Sequence, residues 1–574
     1  MKTTRLQEIL FDRIIKYLYI SAIIQFMLEK SFVSYLTESI VKNWEITALT
    51  DYKGESFTYG EIGIFVIRFH KLFKGFGVQQ GDKIAIIGKN SARWGILYIS
   101  IVTYGAVAVP ILPDFKPDDL KRIIDHSDAV LLFADDRMMH SIDCPVEGKL
   151  QGIIKINDFS LIKWHSDKLI KAYEASELGK VINVADYSAK DMVLPDISND
   201  KQAVLSYTSG TTGFTKGVML SHNSLAANIS YAHNNMPLKS GDKIVSFLPL
   251  AHTFGAAFEF LFPFTLGCHI TILTKTPSPQ IIMKAFQEIR PSLILSVPLV
   301  IEKIYKTQIL PEINKWYIKL LLAIPGISQV ILKKFKDKLT TAFGSDFHEV
   351  VMGGAPLNYE AEVFFRRMKF KYTLGYGMTE CGPLIGYSGW RDIPLGSSGK
   401  IVDTLEIKIE KETPEHLTGE ICVRGDNVMS GYYKNEEDSR KVIDKDGWFH
   451  TGDLGYVDKD GFIYIKGRSK SMILGANGKN IYPEEIESML NNRYAIAESL
   501  VVHRNNKLVA LVLPDTEIVK KKKISKSDLS KLLTKHQKTL NNKLPKYMNI
   551  SAIEIHPEEF VRTPKKSIKR YLYK

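Results

Sequence analysis

Tyr207-Thr-Ser-Gly-Thr-Thr-Gly-Phe-Thr-Lys216 is the stretch on which the reading of this chain turns. It follows a short apolar run, Ala203–Tyr207, and apart from Tyr207 and Phe214 it contains only Gly, Ser, Thr and Lys. Small residues let a backbone approach an anion closely. Hydroxyls and N–H groups can wrap phosphate oxygens, and a lysine can offset their charge. Thr208, Ser209, Gly210, Thr211, Thr212, Gly213 and Lys216 are therefore candidate phosphate ligands. The Gly-Lys-[Ser/Thr] ending of a Walker loop is absent. The competing reading, a plain polar turn after a strand, does not account for so uniform a composition.

On either side of this stretch the chain is regular. Apolar, β-branched runs such as Ile84–Ile87, Val107–Ile111, Ala129–Ala134, Ile244–Leu248, Ile270–Leu273, Leu293–Val297 and Val350–Met352 alternate with helical stretches. Continuous apolar strands separated by helices predict parallel sheets covered on both faces, an α/β fold. Residues 301–345 read as mostly helical, broken at Pro311 and at Pro325-Gly326. From about residue 405 shorter strands and turns take over: Glu406–Ile409, Glu420–Val423 and Phe462–Ile465. Residues 467–574 read as a separate compact unit. It opens with the turn Gly467-Arg-Ser-Lys-Ser and a helix from about Pro483 to Leu490, where Pro483, Glu484 and Glu485 make a favourable start. Lys520–Lys526 is expected to be an exposed loop.

With 574 residues, 45% of them hydrophobic, the chain can bury more than one core. Its net charge of +13 is concentrated at the end, where residues 501–574 carry 18 Lys+Arg against 6 Asp+Glu. Without interleaved Arg and aromatic residues, this excess suits a phosphate-rich ligand or a solvated face rather than nucleic acid. The four cysteines, Cys144, Cys268, Cys381 and Cys422, include no Cys-x-x-Cys pair. That argues against a disulfide scaffold or a zinc site, and for a reducing, cytoplasmic setting. Near the N-terminus, Arg5–Lys16 has the pattern of an amphipathic helix. The uncharged Tyr17–Leu28 is too short to span a bilayer, which takes about 20 residues. Three readings stay open: an interfacial helix placing the protein peripherally on the inner face of a membrane, a helix packed on the body, or a start at Met27.

Further segments stand in a fixed order beside the phosphate stretch: Leu248-Pro-Leu-Ala-His252, Gly353-Gly-Ala-Pro-Leu357, Gly375-Tyr-Gly-Met-Thr-Glu380, Trp448-Phe-His-Thr-Gly-Asp453, and Gly467-Arg-Ser-Lys470 leading to Gly478-Lys-Asn-Ile-Tyr-Pro-Glu-Glu-Ile486. Together they resemble the acyl-adenylating (AMP-forming) superfamily over roughly residues 30–574, and look most like its long-chain fatty acid–CoA ligases. The resemblance implies a large N-terminal domain of parallel sheets flanked by helices plus a distorted β-barrel, at 29–469. A small, mobile α+β lid would follow at 470–574, and residues 1–28 would be a helical extension.

The resemblance also implies roles. Thr208 to Gly213 and Lys216 would hold the β- and γ-phosphates of ATP, Thr379 the α-phosphate, and Glu380 a Mg²⁺ ion. Gly353, Gly354 and Ala355 would lie against the adenine, with Tyr376 stacking beside Gly377. Asp453 and Arg468 would meet the ribose. His252 is read equally as the acyl end of the site or as a core histidine. The C-terminal domain would turn about Lys470, bringing Gly478 towards the pantetheine thiol of CoA. The aromatic set Phe254, Phe258, Phe260, Phe262 and Phe264 would line an acyl tunnel or simply pack the core. One departure stands out: the family's C-terminal catalytic lysine aligns with Ser567, so Lys566, with Lys565 beside it, is expected to take over. The implied reaction joins a fatty acid to CoA at the expense of ATP. The alternatives are a ligase that loads an acyl carrier protein, or a binding protein that has lost the chemistry. The sequence does not give the oligomeric state.

Overall fold

The computed structural model of the chain describes residues 28, 30–139, 148–209, 215–275, 278–474, 480–505, 507–563 and 568–573. The expected N-terminal amphipathic helix lies outside these residues.

The apolar runs form strands close to their expected extents. Gln202–Ser209, Val107–Ile111, Lys83–Ile87, Ala129–Ala134 and Gly152–Lys155 lie parallel in that spatial order. Every residue of Val107–Ile111 is buried, as a strand covered on both faces requires. Antiparallel strands finish the sheet, Leu161–Trp164 at one edge and Thr215–Ser221 followed by Gly431–Tyr432 at the other. A second sheet pairs Lys243–Ser246, His269–Ile272 and Thr47–Asp51 in parallel, with Ser56–Thr58 antiparallel at its end. A third, all parallel, contains Leu293–Ser296, Glu349–Met352 and Tyr372–Leu374.

The helices between strands have local causes. Tyr59–Phe76 begins with a reciprocal cap between Thr58 and Glu61 and ends at Gly77, whose φ of +96° is left-handed. Ala92–Tyr104 is capped by Ser91 and ends the same way at Gly105. The 301–345 region is mostly helical, and Pro325-Gly326 separates Trp316–Ala323 from Ile327–Ala342 as expected. Pro311, expected as the other break, sits instead in the first turn of the helix Leu310–Ile313, where its missing N–H costs nothing, and the break falls at Asn314-Lys315.

The segment expected as a distorted barrel consists of two antiparallel sheets. One pairs Tyr376–Gly377, Leu384–Tyr387 and Lys400–Ile401; the other pairs Leu405–Glu410, Gly419–Gly425, Phe449–Val457 and Ile463–Arg468. An antiparallel bridge between Lys400 and Phe462 joins them. Beyond lies a small α+β unit. Its strands Ile496–Arg504, Lys507–Pro514 and Ile550–Ile555 are covered by the helices Pro483–Leu490 and Lys526–Asn541. Its apolar core, which includes Ile486, Leu490, Val501, Leu533 and Leu540, is separate from the large core that extends from Phe32 to Ile463. The fold is thus α/β with a large N-terminal and a small C-terminal domain. One expectation needs correction: Lys520–Lys526 is not a single loop. Lys520 and Lys521 close a helix that Asp515 caps, and Lys526 opens the next one behind the Ser525 cap.

Candidate active site

The two ends of the phosphate stretch are paired as antiparallel strands. Thr208 pairs with Lys216 and Ser209 with Thr215. Gly210, Thr211, Thr212 and Gly213 lie outside the described residues. The register places Thr208 and Lys216 side by side where the strands end. Lys216 Nζ sits 2.7 Å from Asp438 and 4.5 Å from the centre of the Tyr432 ring. The lysine holds the Asp438 carboxyl down at about 2. The Tyr432 hydroxyl in turn donates to Glu380 Oε1 at 3.2 Å. One tyrosine therefore touches both the candidate phosphate lysine and the candidate metal carboxylate.

Thr379, Glu380 and Cys381 form a single 3₁₀ turn in which Thr379 is buried. The backbone at Gly377 has no room for a side chain: a Cβ there would fall 2.2 Å from the Pro383 carbonyl oxygen. Glycine is thus required where the 376–386 hairpin closes on itself. Next to it, the Tyr376 hydroxyl donates to Asp453 Oδ2 at 2.9 Å, and Arg468 Nε lies 3.0 Å from Asp453 Oδ1. Burial raises the Asp453 carboxyl above its usual range, against the pull of Arg468 and Tyr376. Arg468 itself remains half exposed. Gly353 ends its strand with the Phe254 ring against it, whereas Gly354, at φ +85°, has open space where a side chain would be. Gly354 and Ala355 are exposed, so a flat ligand could lie on them.

His252 lines a narrow apolar pocket with Leu250, Ala251, Ala256, Ser206 and Gly382. Its Nδ1 accepts from the Phe254 backbone N–H at 3.3 Å. The loop before it is held by Glu259, which is fully buried. One Glu259 oxygen accepts from Phe247 N, Leu248 N and Ser246 Oγ at 2.8–3.0 Å. Phe258, Phe260, Phe262 and Phe264 are packed in the core, whereas Phe254 is partly buried and lies against Gly353.

Lys470 is exposed in the 3₁₀ turn Ser469–Ser471 that links the two domains. Gly478, Lys565, Lys566 and Ser567 lie outside the described residues. Arg562 and Ile568, on either side of the last three, are bridged antiparallel, and Arg570 is paired with Glu487. The small domain docks through Lys306 Nζ, which donates to the Asn491 carbonyl at 2.5 Å, and Asn358, which donates to the Ser488 carbonyl at 3.4 Å.

Sequence reasoning missed Asp438, Tyr432 and Glu259. Asp438 looks like one more acid at the start of the helix Glu436–Val442, and nothing local ties it to Lys216. Tyr432 carried a usable signal, since Gly431-Tyr-Tyr-Lys434 has the shape of a short strand and turn. Glu259 stands out only as an isolated acid in an otherwise apolar run, Phe254–Leu266.

A hairpin of hydroxyls and lysine facing two carboxylates, on a two-domain α/β frame, suits an enzyme that handles a nucleotide. Comparison with known proteins agrees. The AMP-binding enzyme family matches residues 36–433, and the AMP-binding enzyme C-terminal domain matches 470–573. A long-chain-fatty-acid–CoA ligase of Mycobacterium bovis, FadD15, is 31% identical over 452 residues, covering 74% of this chain and 72% of its own. 4-Coumarate–CoA ligase 1 of Petroselinum crispum is 29% identical over 470 residues, covering 78% and 77%. The crystal structure of the anthranilate–CoA ligase AuaEII with anthranoyl-AMP superimposes with a TM-score of 0.73 at 21% identity, over 95% of this chain and 96% of that one. The chain belongs to the AMP-binding enzyme family, and within it to the acid–CoA ligases.

Proposed function

We propose that the enzyme activates a long-chain fatty acid as its acyl-AMP and passes the acyl group to the thiol of CoA, releasing pyrophosphate and then AMP. The observation that carries this reading is the Lys216–Tyr432–Glu380 connection, set beside the 31% identity to a long-chain-fatty-acid–CoA ligase. Phosphoryl chemistry of this kind gains chiefly from positioning and electrostatics. In this reading Thr208 and Lys216 hold the terminal phosphates, with Ser209 and residues 210–213 completing the loop, and Thr379 meets the α-phosphate. Asp453 accepts from the ribose hydroxyls, steadied by Tyr376 and Arg468. Gly353, Gly354 and Ala355 lie against the adenine.

Glu380 fits a hard divalent cation. Its carboxylate is partly buried, and Tyr432 turns one oxygen while leaving coordinating capacity on the group. Mg²⁺ bound there would offset charge on the phosphate oxygens. His252 and the pocket beside it would receive the acid, Lys470 would be the hinge between residues 29–469 and 470–574, and Gly478 would flank the CoA thiol. Lys566 would supply the C-terminal cation. Lys566→Ala is expected to slow acyl-AMP formation about 10²–10³-fold. Rates unchanged in Lys565→Ala, Lys566→Ala and Lys569→Ala alike would remove the lysine from the proposal.

Pyrophosphate release across a panel of acids, with CoA or with an acyl carrier protein as acceptor, tests the whole reading. Long-chain acids with CoA are expected to give the highest kcat/KM. The 29% identity to a 4-coumarate–CoA ligase favours one competing reading, an aromatic acid as substrate. Faster turnover of hydroxycinnamates than of any fatty acid would establish it and overturn the first. Preference for the carrier protein would reassign the acceptor alone.

A further inference from the structure

The helix Trp316–Ala323 has the sequence Trp-Tyr-Ile-Lys-Leu-Leu-Leu-Ala and no buried residue. An apolar helix ordinarily packs against a core; this one touches the large core through the partly buried Leu322, while most of its side chains stay exposed. The chain turns at Pro325-Gly326, where Gly326 takes a φ of +84°, into the helix Ile327–Ala342. That second helix is anchored: Leu332 and Leu339 are buried, and the Phe335 ring meets Phe364 at 5.8 Å. On the side away from Leu322, the first helix and the turn present apolar side chains to solvent. Trp316 is 78% exposed, Leu320 59% and Val330 58%, and Tyr317, Ile324 and Ile327 are exposed beside them. Single exposed leucines are ordinary on a protein surface, but six large apolar side chains on one hairpin mark an interaction face.

The charges around this face select its occupant. Between residues 315 and 338 there are six lysines, Lys315, Lys319, Lys333, Lys334, Lys336 and Lys338, and one acid, Asp337. They bracket the apolar tip, Lys315, which is ion-paired with Glu312 at 2.7 Å, next to Trp316 and Lys333 one turn beyond Val330. A second copy of the same face would bring like charges together. An anionic bilayer is complementary to both parts, taking apolar side chains at its acyl boundary and lysines at its phosphates. Trp and Tyr beside Lys is the composition favoured at a membrane–water interface. An eight-residue helix is about 12 Å long, far short of the roughly 30 Å hydrocarbon layer. It can lie in the interface but not cross it, and among the described residues no helix is long and apolar enough to cross.

We propose that the hairpin 315–338 docks the enzyme on an anionic lipid surface. Trp316, Leu320, Ile324, Ile327 and Val330 enter the headgroup–acyl boundary, and the flanking lysines meet lipid phosphates. The second helix leads into the strand Glu349–Met352 and the Gly353–Ala355 turn, so docking would bring the nucleotide-side wall of the enzyme to a surface in which long-chain acids dissolve.

Flotation of the full chain with phosphatidylcholine vesicles, with or without phosphatidylglycerol, at low and high salt tests this. The chain is expected to float with the anionic vesicles and less so as salt rises. The double variant Trp316→Glu/Leu320→Glu should lower the bound fraction about tenfold or more, and Lys333→Glu/Lys334→Glu should abolish the preference for phosphatidylglycerol. Pyrophosphate release with a short, water-soluble acid, measured in parallel, reports that the variants are folded. Equal flotation of the variants and the parent chain overturns the proposal. So does a self-association that Trp316→Glu/Leu320→Glu abolishes in a chain that never floats, since the face would then belong to a second copy.

Discussion

Lys216 is the residue on which the site's electrostatics rest, and the structure gives it company that its own neighbourhood does not announce. Asp438 holds the ammonium at the hairpin edge, and Tyr432 lies under it. Lys216→Ala is expected to lower kcat/KM for ATP about 10²-fold or more. Asp438→Asn, which leaves the lysine in place but unsteadied, should cost less and act mainly on KM. The Asp438 carboxyl is depressed from 3.8 to about 2. A depressed carboxylate contributes stability that is complete above its unfolded pKa and fades as pH falls through its folded one. Asp438→Asn should therefore be less stable than the parent above about pH 4 and converge with it towards pH 2, as urea midpoints across that window would show. Tyr432→Phe keeps the ring over Lys216 and removes only the donor to Glu380, so a loss of about three- to tenfold in kcat/KM is expected. A loss as large as that of Lys216→Ala would mean that the hydroxyl does more than orient Glu380. At this scale the candidate site residues stand in their motifs in the sequence. The sequence cannot display Asp438, because an ion pair between distant segments has no local signature.

Among the elements, the 246–252 loop shows how one buried group fixes a segment. Glu259 accepts two backbone N–H groups and one hydroxyl from the strand end and the loop that lead to His252. Burial raises its carboxyl well above the ordinary range. For a raised carboxylate the sign is reversed: its contribution is present at low pH and is lost as pH rises from the unfolded value through the folded one. Glu259→Gln mimics the neutral acid, so its stability is expected within about 1 kcal/mol of the parent near pH 5 and to fall less steeply at higher pH. Glu259→Ala strands the donors and should cost about 2–4 kcal/mol. Denaturant titrations at two pH values separate these outcomes. Elements of this kind were partly legible. Val107–Ile111, Ala129–Ala134 and Pro483–Leu490 run from residue to residue as their apolar and capping patterns predict. The Lys520–Lys526 run misleads because its charge density suggests an exposed loop, although Asp515 and Ser525 stand ready as helix caps on either side. The acyl side was illegible for a different reason. A cluster of phenylalanines has the same appearance in sequence whether it lines a tunnel or fills a core, and here four of the five fill the core.

Over the whole molecule, the apolar cluster of the large domain stays separate from the two of the small domain. Among the described residues the polar contacts between the domains include Thr418 to Tyr482 and Lys466 to Glu485 near residue 470 and, farther along the chain, Lys306 to Asn491 and Asn358 to Ser488. A rotation about Lys470 would have to break the last two. Lys306→Met is expected to leave the cores intact while speeding amide exchange and protease cleavage around residues 470–482; unchanged exchange there would mean that the contact does not hold the domains together. The order of strands in the largest sheet has a consequence for biosynthesis. The hairpin strand Thr215–Ser221 receives its outer neighbour, Gly431–Tyr432, only after some two hundred further residues have been made. Until residue 432 leaves the ribosome, this edge presents unpaired backbone groups to solvent, a template for pairing with other chains. The residue that closes the edge is also the one that links Lys216 to Glu380. In a nascent chain the closing of this edge and the Tyr432 contacts with Lys216 and Glu380 therefore form together. A chain ending before Gly431 would lack both, and is the form most in need of a chaperone.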